Sequence, residues 1–425
     1  MVQGASSWAG KSLLTTAIAR LLKRRGVAVA PFKAVNMSNN ARVVEGGEIG
    51  VAQYLQALAA GVAPDVRMNP VLVKPEGDQR SQVVLRGVAD HELSRMPWRE
   101  RADHLWPAIE EALAALSAEF ELILVEGAGS PAEINLRDVD LANMRVARRL
   151  GARVALVADI DRGGAFAHLY GTWSLLTPEE RNMVSGFVLN KFRGDASLLA
   201  PGPDDLRRMT GVPTVGVIPW LDHGLPDEDG VARGRRDEHG DGARPVVAVL
   251  CYPAASNLDE FKLLEQVADV SYTRSAAELA HAELVVLPGS KHVAADLAWL
   301  RERGLHRAVA AAADGPGRVV AICGGLQMLG NAIHDPAGVE GAAQGLGLID
   351  ADTQFGAEKR VRHAQTKFAV LPPPWDALAG LRVTGYEIRH GTTAGHGLHR
   401  ALPDGLGYAS GRVLGVYLHG LFEHG

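Results

Sequence analysis

The stretch VVAICGGLQMLG, Val319 to Gly330, decides how the second half of the chain is read. A short apolar run meets Cys323, two glycines follow, and the apolar spacing of a helix begins. The pattern is strand, sharp turn, helix, with the thiol on the turn. A buried cysteine is by default a small hydrophobe. At such an elbow it is instead presented at a helix start, where thiols serve as nucleophiles. A nucleophile needs a base within reach. His419 in VLGVYLHGLFE closes another apolar strand, and a strand end is where a partner can meet the thiol. A developing oxyanion needs N–H donors. Gly324, directly after Cys323, offers one, and Gly289 in VVLPGS, at a third strand end, offers another. Cys251, the other cysteine, lies inside AVLCYP with no elbow and reads as core.

The chain opens on a second motif. In QGASSWAGKSLLTTAIARLL, Gly4, Gly10, Lys11 and Ser12 lie between a strand stub and a helix, the setting of a phosphate-binding P-loop. Backbone N–H groups and the helix start favour phosphate there. Lys11 reaches outer phosphates and Ser12 can ligate magnesium. The spacing is loose, with five residues between Gly4 and Gly10 where the strict pattern has four, and Ala5 holds the first-glycine position. Magnesium also needs carboxylate oxygen. Glu126 ends a strand in VEGAGS, Glu48 precedes a helix in GGEIG, and Asp159 and Asp161 end a strand in VADIDRGG.

Apolar runs that end in glycine or polar residues recur along the chain: VAVAPFK, ELILVEGAGS, VALVADIDRGG, SGFVLNKF, PTVGVIP, then VVAVLCY, LVVLPGS, VVAICGG and VLGVYLHG. Near-continuous apolar strands of this kind indicate parallel sheets covered on both faces, with functional residues at the strand C-terminal ends. A helix is expected over Leu13–Arg24, with basic residues at its end. Between Leu221 and Pro245 periodicity is lost in a run rich in Gly, Pro and charge, which reads as a linker. The expected class is α/β in two domains, a nucleotide-binding parallel-sheet domain over residues 1–235 and a thiol-bearing domain over residues 236–425. Only Met1–Gln3 precede the glycine loop and five residues follow Gly420, so both ends are short for the strand and helix expected there.

The 425 residues carry a formal net charge of −5 and are 47% hydrophobic. That balance offers nucleic acid or an anionic membrane no strong field. Two cysteines make no disulfide framework and suit a reducing cytoplasm. No apolar run of roughly 18 residues appears, and no basic segment followed by an apolar run opens the chain, so neither a membrane span nor a signal peptide is expected.

ICGGLQMLG, LPGS and YLHGLFE together resemble a class I, flavodoxin-like glutamine amidotransferase domain. GYEIRHG (Gly385–Gly391) resembles the segment before the histidine strand in cobyric acid synthases, and the first half is similar to the same enzymes through APFKAVNMSNN, GGEIGVAQYLQALAAGV, MNPVLVKPEGD, EGAGSPAEINLRDVDLANM, ADIDRGG, LNKFRGD and SNLDEF. These runs cover nearly the whole length in the family's order. The resemblance implies a P-loop synthetase domain, similar to dethiobiotin synthetase, joined to a glutaminase. It implies ATP- and glutamine-dependent amidation of the b, d, e and g carboxylates of adenosylcobyrinic acid a,c-diamide, giving adenosylcobyric acid in cobalamin biosynthesis. ATP and Mg²⁺ are the implied cofactors, and the partners are small molecules: corrin carboxylates, glutamine and ATP. No nucleic-acid or membrane partner is implied, and a homo-oligomer is left open.

Carried over by motif, Cys323 attacks glutamine, His419 relays protons, and Gly289 and Gly324 bind the oxyanion. Gly10, Lys11, Ser12, Asn190 and Lys191 bind nucleotide, with Asn190 and Lys191 near the base. Ser12, Glu48 and Glu126 hold the metal. The segments NMSNN and EINLRD face the corrin. No acid stands two residues after His419, where Leu421 is found, so His419 is expected to lack a carboxylate orienter. Trp8 takes the place of the family's acid in the phosphate loop. Val35, Ala41, Glu76-Gly77 and Arg145 depart in the same half, which predicts altered synthetase geometry or substrate choice with glutaminase chemistry intact.

Overall fold

Apolar strand runs in the sequence become two parallel sheets, each at the heart of a compact unit. The computed structural model describes residues 1–77, 80–225, 244–395 and 397–423. One unit comprises Met1–Met37, Val44–Val73 and Val83–Leu225; the other comprises Ser38–Val43, Lys74–Gln82 and Pro226–Gly425. The boundary expected at residue 235, and most of the expected linker, lie outside the described residues. Ser38–Val43 and Lys74–Gln82, expected in the first domain, group with the second unit.

In the first unit the strands Val2–Gly4, Val154–Asp159, Val184–Phe192 and Thr214–Pro219 run parallel in that spatial order. Val29–Phe32 and Leu122–Val125 form a parallel pair, joined to this sheet by a bridge from Glu126 to Val2. Leu156, Phe187 and Leu189 are fully buried on one side of the sheet. The C-terminal strand ends carry Gly4, Glu126, Asp159 and Asn190, so one edge of the sheet gathers the glycine loop with polar side chains. The helix Lys11–Arg24 starts two residues before the expected Leu13 and keeps Lys23 and Arg24 in its last turn, where they complement the helix dipole.

In the second unit Asp269–Thr273, Val246–Leu250, Leu284–Leu287, Arg318–Ile322 and Val413–Val416 are parallel and adjacent in that order. Gly407–Ser410 and His399–Leu402 extend the sheet antiparallel. A long antiparallel pair, Ala351–Lys367 with Arg382–Gly395, stands beside it. The sequence reading passed over this pair. Its signal is period-two burial, with Ala351, Thr353 and Phe355 buried between exposed Asp352, Gln354 and Gly356, the alternation of a half-buried strand. Among the described residues no helix is long and apolar enough to cross a membrane.

The turn at Cys323 requires close packing beneath it. A Cβ on Gly325 would stand 2.2 Å from the Leu287 carbonyl oxygen, so the helix start lies directly on the neighbouring strand end. Gly325→Ala is expected to lower stability by about 1–3 kcal/mol through overpacking, measured as an earlier denaturation midpoint in urea.

Candidate functional site

Cys323 sits at φ 51°, ψ −104°, a conformation that costs a non-glycine residue about 1–3 kcal/mol. The strain is held by both flanks: the Cys323 N–H donates to the Val416 carbonyl at 2.7 Å, and its carbonyl accepts from Gln327 N–H at 3.1 Å. The helix Gly324–Leu329 that follows is buried throughout. Cys323 is 5% exposed, and its Sγ donates to the Ile388 carbonyl at 3.4 Å. Cys251 contrasts with it. Burial pushes that thiol up to about 11, against the pull of Arg274, and Cys251 is partly buried, packed against the core without belonging to it.

His419 is fixed on every side. Its backbone exchanges two hydrogen bonds with Tyr386, 2.9 Å and 3.1 Å, and the two rings stack with centroids 5.4 Å apart. The Nδ1 atom lies 2.9 Å from Glu260 Oε1, and Glu260 Oε2 accepts the Gly420 N–H at 2.8 Å. The expectation of a histidine without a carboxylate orienter is therefore corrected. The acid comes not from the position after His419 but from SNLDEF, 159 residues away. Its sequence signal is an acid between Leu258 and Phe261 in an apolar turn, and it is fully buried. With Glu260 fixing the proton on Nδ1, the other ring nitrogen is left for Cys323, which lines the same pocket. Burial opposes charge on His419, but Glu260 and Cys323 outweigh it and raise the imidazole to about 10.

Gly289 and Gly324 lie beside these two side chains. Gly289–Ser290 pairs antiparallel with Ala255–Ser256. A Cβ on Gly289 would stand 2.9 Å from His419 Cε1 and 2.7 Å from Ser256 Oγ, and one on Gly324 would stand 2.5 Å from Ser290 N. Asp296 locks this corner, accepting from Ala254 N–H at 3.1 Å and from Ser290 Oγ at 2.6 Å.

One pocket holds Cys323, His419 and a basic wall of Lys74, Lys291 and Lys359 with Glu340. Lys291 and Lys359 both donate to Gln82 Oε1, at 3.1 Å and 2.9 Å. Burial pushes Glu340 up to about 7, against the pull of Lys291. Arg389, also on the wall, is paired with Glu387. Asn39 Oδ1, from a pocket residue, is buried with no hydrogen-bond partner among the described residues. The combination suits a small zwitterion that brings a carboxylate, an ammonium and an amide.

The first unit gathers its own site. Gly10 precedes the helix at φ +90°, and a Cβ there would stand 2.1 Å from Asn190 Nδ2, so only glycine fits. Lys11 Nζ donates to the carbonyls of Ser6 at 3.3 Å and Gly129 at 3.1 Å. Ser12 Oγ donates to Glu126 Oε1 at 2.9 Å, and the same oxygen accepts Lys33 Nζ at 2.9 Å. Gln56 Nε2 donates to Glu126 Oε2 at 2.5 Å. Lys33 and Gln56 were not singled out from sequence; both lie in runs quoted above, but neither has a motif position of its own. Glu48 is buried in the strand Gly47–Gly50, with its N–H on the Gly87 carbonyl at 3.1 Å.

Asn190 and Lys191 grip the loop backbone. Asn190 Nδ2 donates to the Ala9 carbonyl at 2.9 Å; Lys191 Nζ donates to the Trp8 carbonyl and to Asp159 Oδ2, each at 2.8 Å. Asp159 thus serves Lys191 and Arg162. Trp8 has φ 64° and is 41% exposed, so its carbonyl is pinned while its indole faces outward. Arg145, another departure, lies over the Trp106 ring at 4.0 Å.

Two family models match the chain, one in each half. The CobQ/CobB/MinD/ParA nucleotide binding domain matches residues 1–225, and the CobB/CobQ-like glutamine amidotransferase domain matches residues 246–425. Cobyric acid synthase of Polaromonas sp. (strain JS666 / ATCC BAA-500) is 55% identical over 455 residues, covering 100% of this chain and 90% of that protein. The cobyric acid synthase of Variovorax paradoxus (strain S110) is 57% identical over 433 residues, and that of Paracidovorax citrulli (strain AAC00-1) 58% over 445, each with the same coverage.

Removing the charge of Glu260 lowers the affinity of His419 for its proton. Glu260→Gln is therefore expected to cut glutamate release from glutamine about 100-fold and to shift the alkaline limb of its pH profile to lower pH. Lys191→Met frees the loop carbonyl of Trp8. The expected result is a KM for ATP raised about tenfold in ammonia-dependent turnover, with glutamate release retained.

Proposed function

Because the chain belongs to the cobyric acid synthase family, we propose that it uses ATP and glutamine to amidate the b, d, e and g carboxylates of adenosylcobyrinic acid a,c-diamide. The observation that carries the reading is the strained Cys323 in one pocket with His419, which is held in turn by Glu260.

A carboxylate does not exchange oxygen for nitrogen unaided, because oxide is a poor leaving group. One carboxylate oxygen attacks the γ-phosphorus of ATP, ADP departs, and the resulting acyl phosphate has a good leaving group. Ammonia then attacks the acyl carbon and phosphate leaves. The protein's part in this step is positioning and charge neutralisation. Gly10 and its neighbours offer backbone N–H groups, and Lys11 supplies a positive charge held beside the loop by the Ser6 and Gly129 carbonyls. Ser12 Oγ and Glu126 Oε1, 2.9 Å apart, are hard oxygens that fit magnesium, and Glu48 is the further carboxylate proposed for it. Bound there with nucleotide, the ion would neutralise phosphate charge.

Ammonium at neutral pH has no free electron pair, so ammonia must be made locally. Cys323 Sγ bonds to the side-chain amide carbon of glutamine. The oxyanion meets the N–H groups proposed at Gly289 and Gly324. His419, already protonated, gives its proton to the departing nitrogen, and ammonia leaves. Water then attacks the thioester, His419 takes its proton, and glutamate departs with the thiolate restored. The lysine wall and Glu340 are suited to the α-carboxylate and α-ammonium of glutamine.

Amidation is read by mass spectrometry of the corrin, with glutamine or ammonia as nitrogen source. Cys323→Ser is expected to abolish glutamine-dependent product and retain ammonia-dependent product. Equal loss with both sources, or no mass change on the corrin with the unaltered protein, would overturn the reading.

A further inference from the structure

Arg42 is a buried cation that the reaction scheme does not use. Its side chain is 8% exposed, and its guanidinium pairs with Asp259, whose side chain is fully buried, and with Glu423. The guanidinium carbon also lies 5.4 Å from the centroid of the Tyr386 ring. Both contacts are one step from His419. Asp259 precedes Glu260, which accepts the His419 Nδ1 proton, and Tyr386 stacks on the His419 ring. A second tie runs in parallel: the Ala41 N–H donates to Asn257 Oδ1 at 3.0 Å across 216 residues of sequence, and Asn257 Nδ2 donates to Tyr386 Oη at 3.3 Å. Asn257 adopts φ 54° to make both contacts.

We propose that Arg42 is a positioning residue for the glutamine-hydrolysing site, holding Asp259 and Tyr386 and through them the carboxylate and the ring that define His419. The inference rests on the reading of Cys323 as the glutaminase nucleophile. It means that Ser38–Val43, which lies among the nucleotide-binding half in sequence, supplies a part without which the thiol site is incomplete. Arg42 does not line the pocket, so its loss acts on turnover and not on glutamine affinity. A buried carboxylate left without its cation is strongly unfavourable, so Asp259 must move or take up a proton, and Glu260 moves with it.

The test compares Arg42→Met, Arg42→Lys and Cys323→Ser in the full-length chain, with glutamine and with ammonia. Arg42→Met is expected to lower kcat with glutamine about tenfold or more at unchanged KM for glutamine, to keep ammonia-dependent amidation, and to be largely rescued by Arg42→Lys. If the single variant aggregates, Arg42→Met with Asp259→Asn removes both buried charges together and is expected to show the same split. Unchanged kcat with glutamine, or parallel loss with both nitrogen sources, would overturn the assignment. Glutamine use retained by Cys323→Ser would overturn the underlying reading instead.

Discussion

A buried carboxylate against a buried imidazole, Glu260 and His419 at 2.9 Å, is the contact around which the second unit is arranged. Neither charge is tolerable alone at that depth, since desolvation of a lone buried ion costs several kcal/mol. Together they keep the imidazole protonated, in the pocket that also holds Cys323. The neighbours follow from this. Gly289 has no side chain because the His419 ring occupies that space. Tyr386 covers the ring face, and Asp296 holds the strand end that presents Gly289. The strain at Cys323 is borne by a turn tied to a neighbouring strand and to its own helix.

The nucleotide-binding unit solves a different problem. Its loop is held through the backbone carbonyls of Ala9 and Trp8, by Asn190 and Lys191, and Trp8 and Lys191 both adopt positive φ. Glu126 is already fully engaged by Ser12, Lys33 and Gln56. A carboxylate so held is pre-oriented. At Trp8 the contact with Lys191 runs through the backbone carbonyl and leaves the indole outside it.

Much of this was legible in the sequence, for local reasons. Cys323, Gly10, Lys11 and Ser12 announce themselves because strand, turn and helix must follow one another within a dozen residues. The parallel strands were legible because burial on both faces demands unbroken apolar runs. Glu260 was not, since its partner is 159 residues away and the expected place for an acid holds Leu421. Arg42 and Gln82 were hidden for the same reason: each sits in a segment whose neighbours in sequence read as nucleotide-binding, while its contacts lie in the thiol unit. Asn190 and Lys191 were legible by resemblance as nucleotide-binding residues, and their hydrogen bonds to the Ala9 and Trp8 carbonyls, which no local pattern announces, join them to the loop. The long hairpin Ala351–Lys367 with Arg382–Gly395 was written in alternation, a weaker signal than the apolar runs around it.

The central claim is that His419 is an imidazolium under working conditions because Glu260 and Cys323 hold its proton. Nitrogen NMR of the full-length protein labelled at histidine tests it directly. At about pH 8, where an unperturbed imidazole with pKa near 6.5 is neutral, the His419 ring nitrogens should both carry protons. They should begin to titrate only as the pH approaches about 10. A His419 signal that is neutral at about pH 8, with a single protonated nitrogen, would contradict the account.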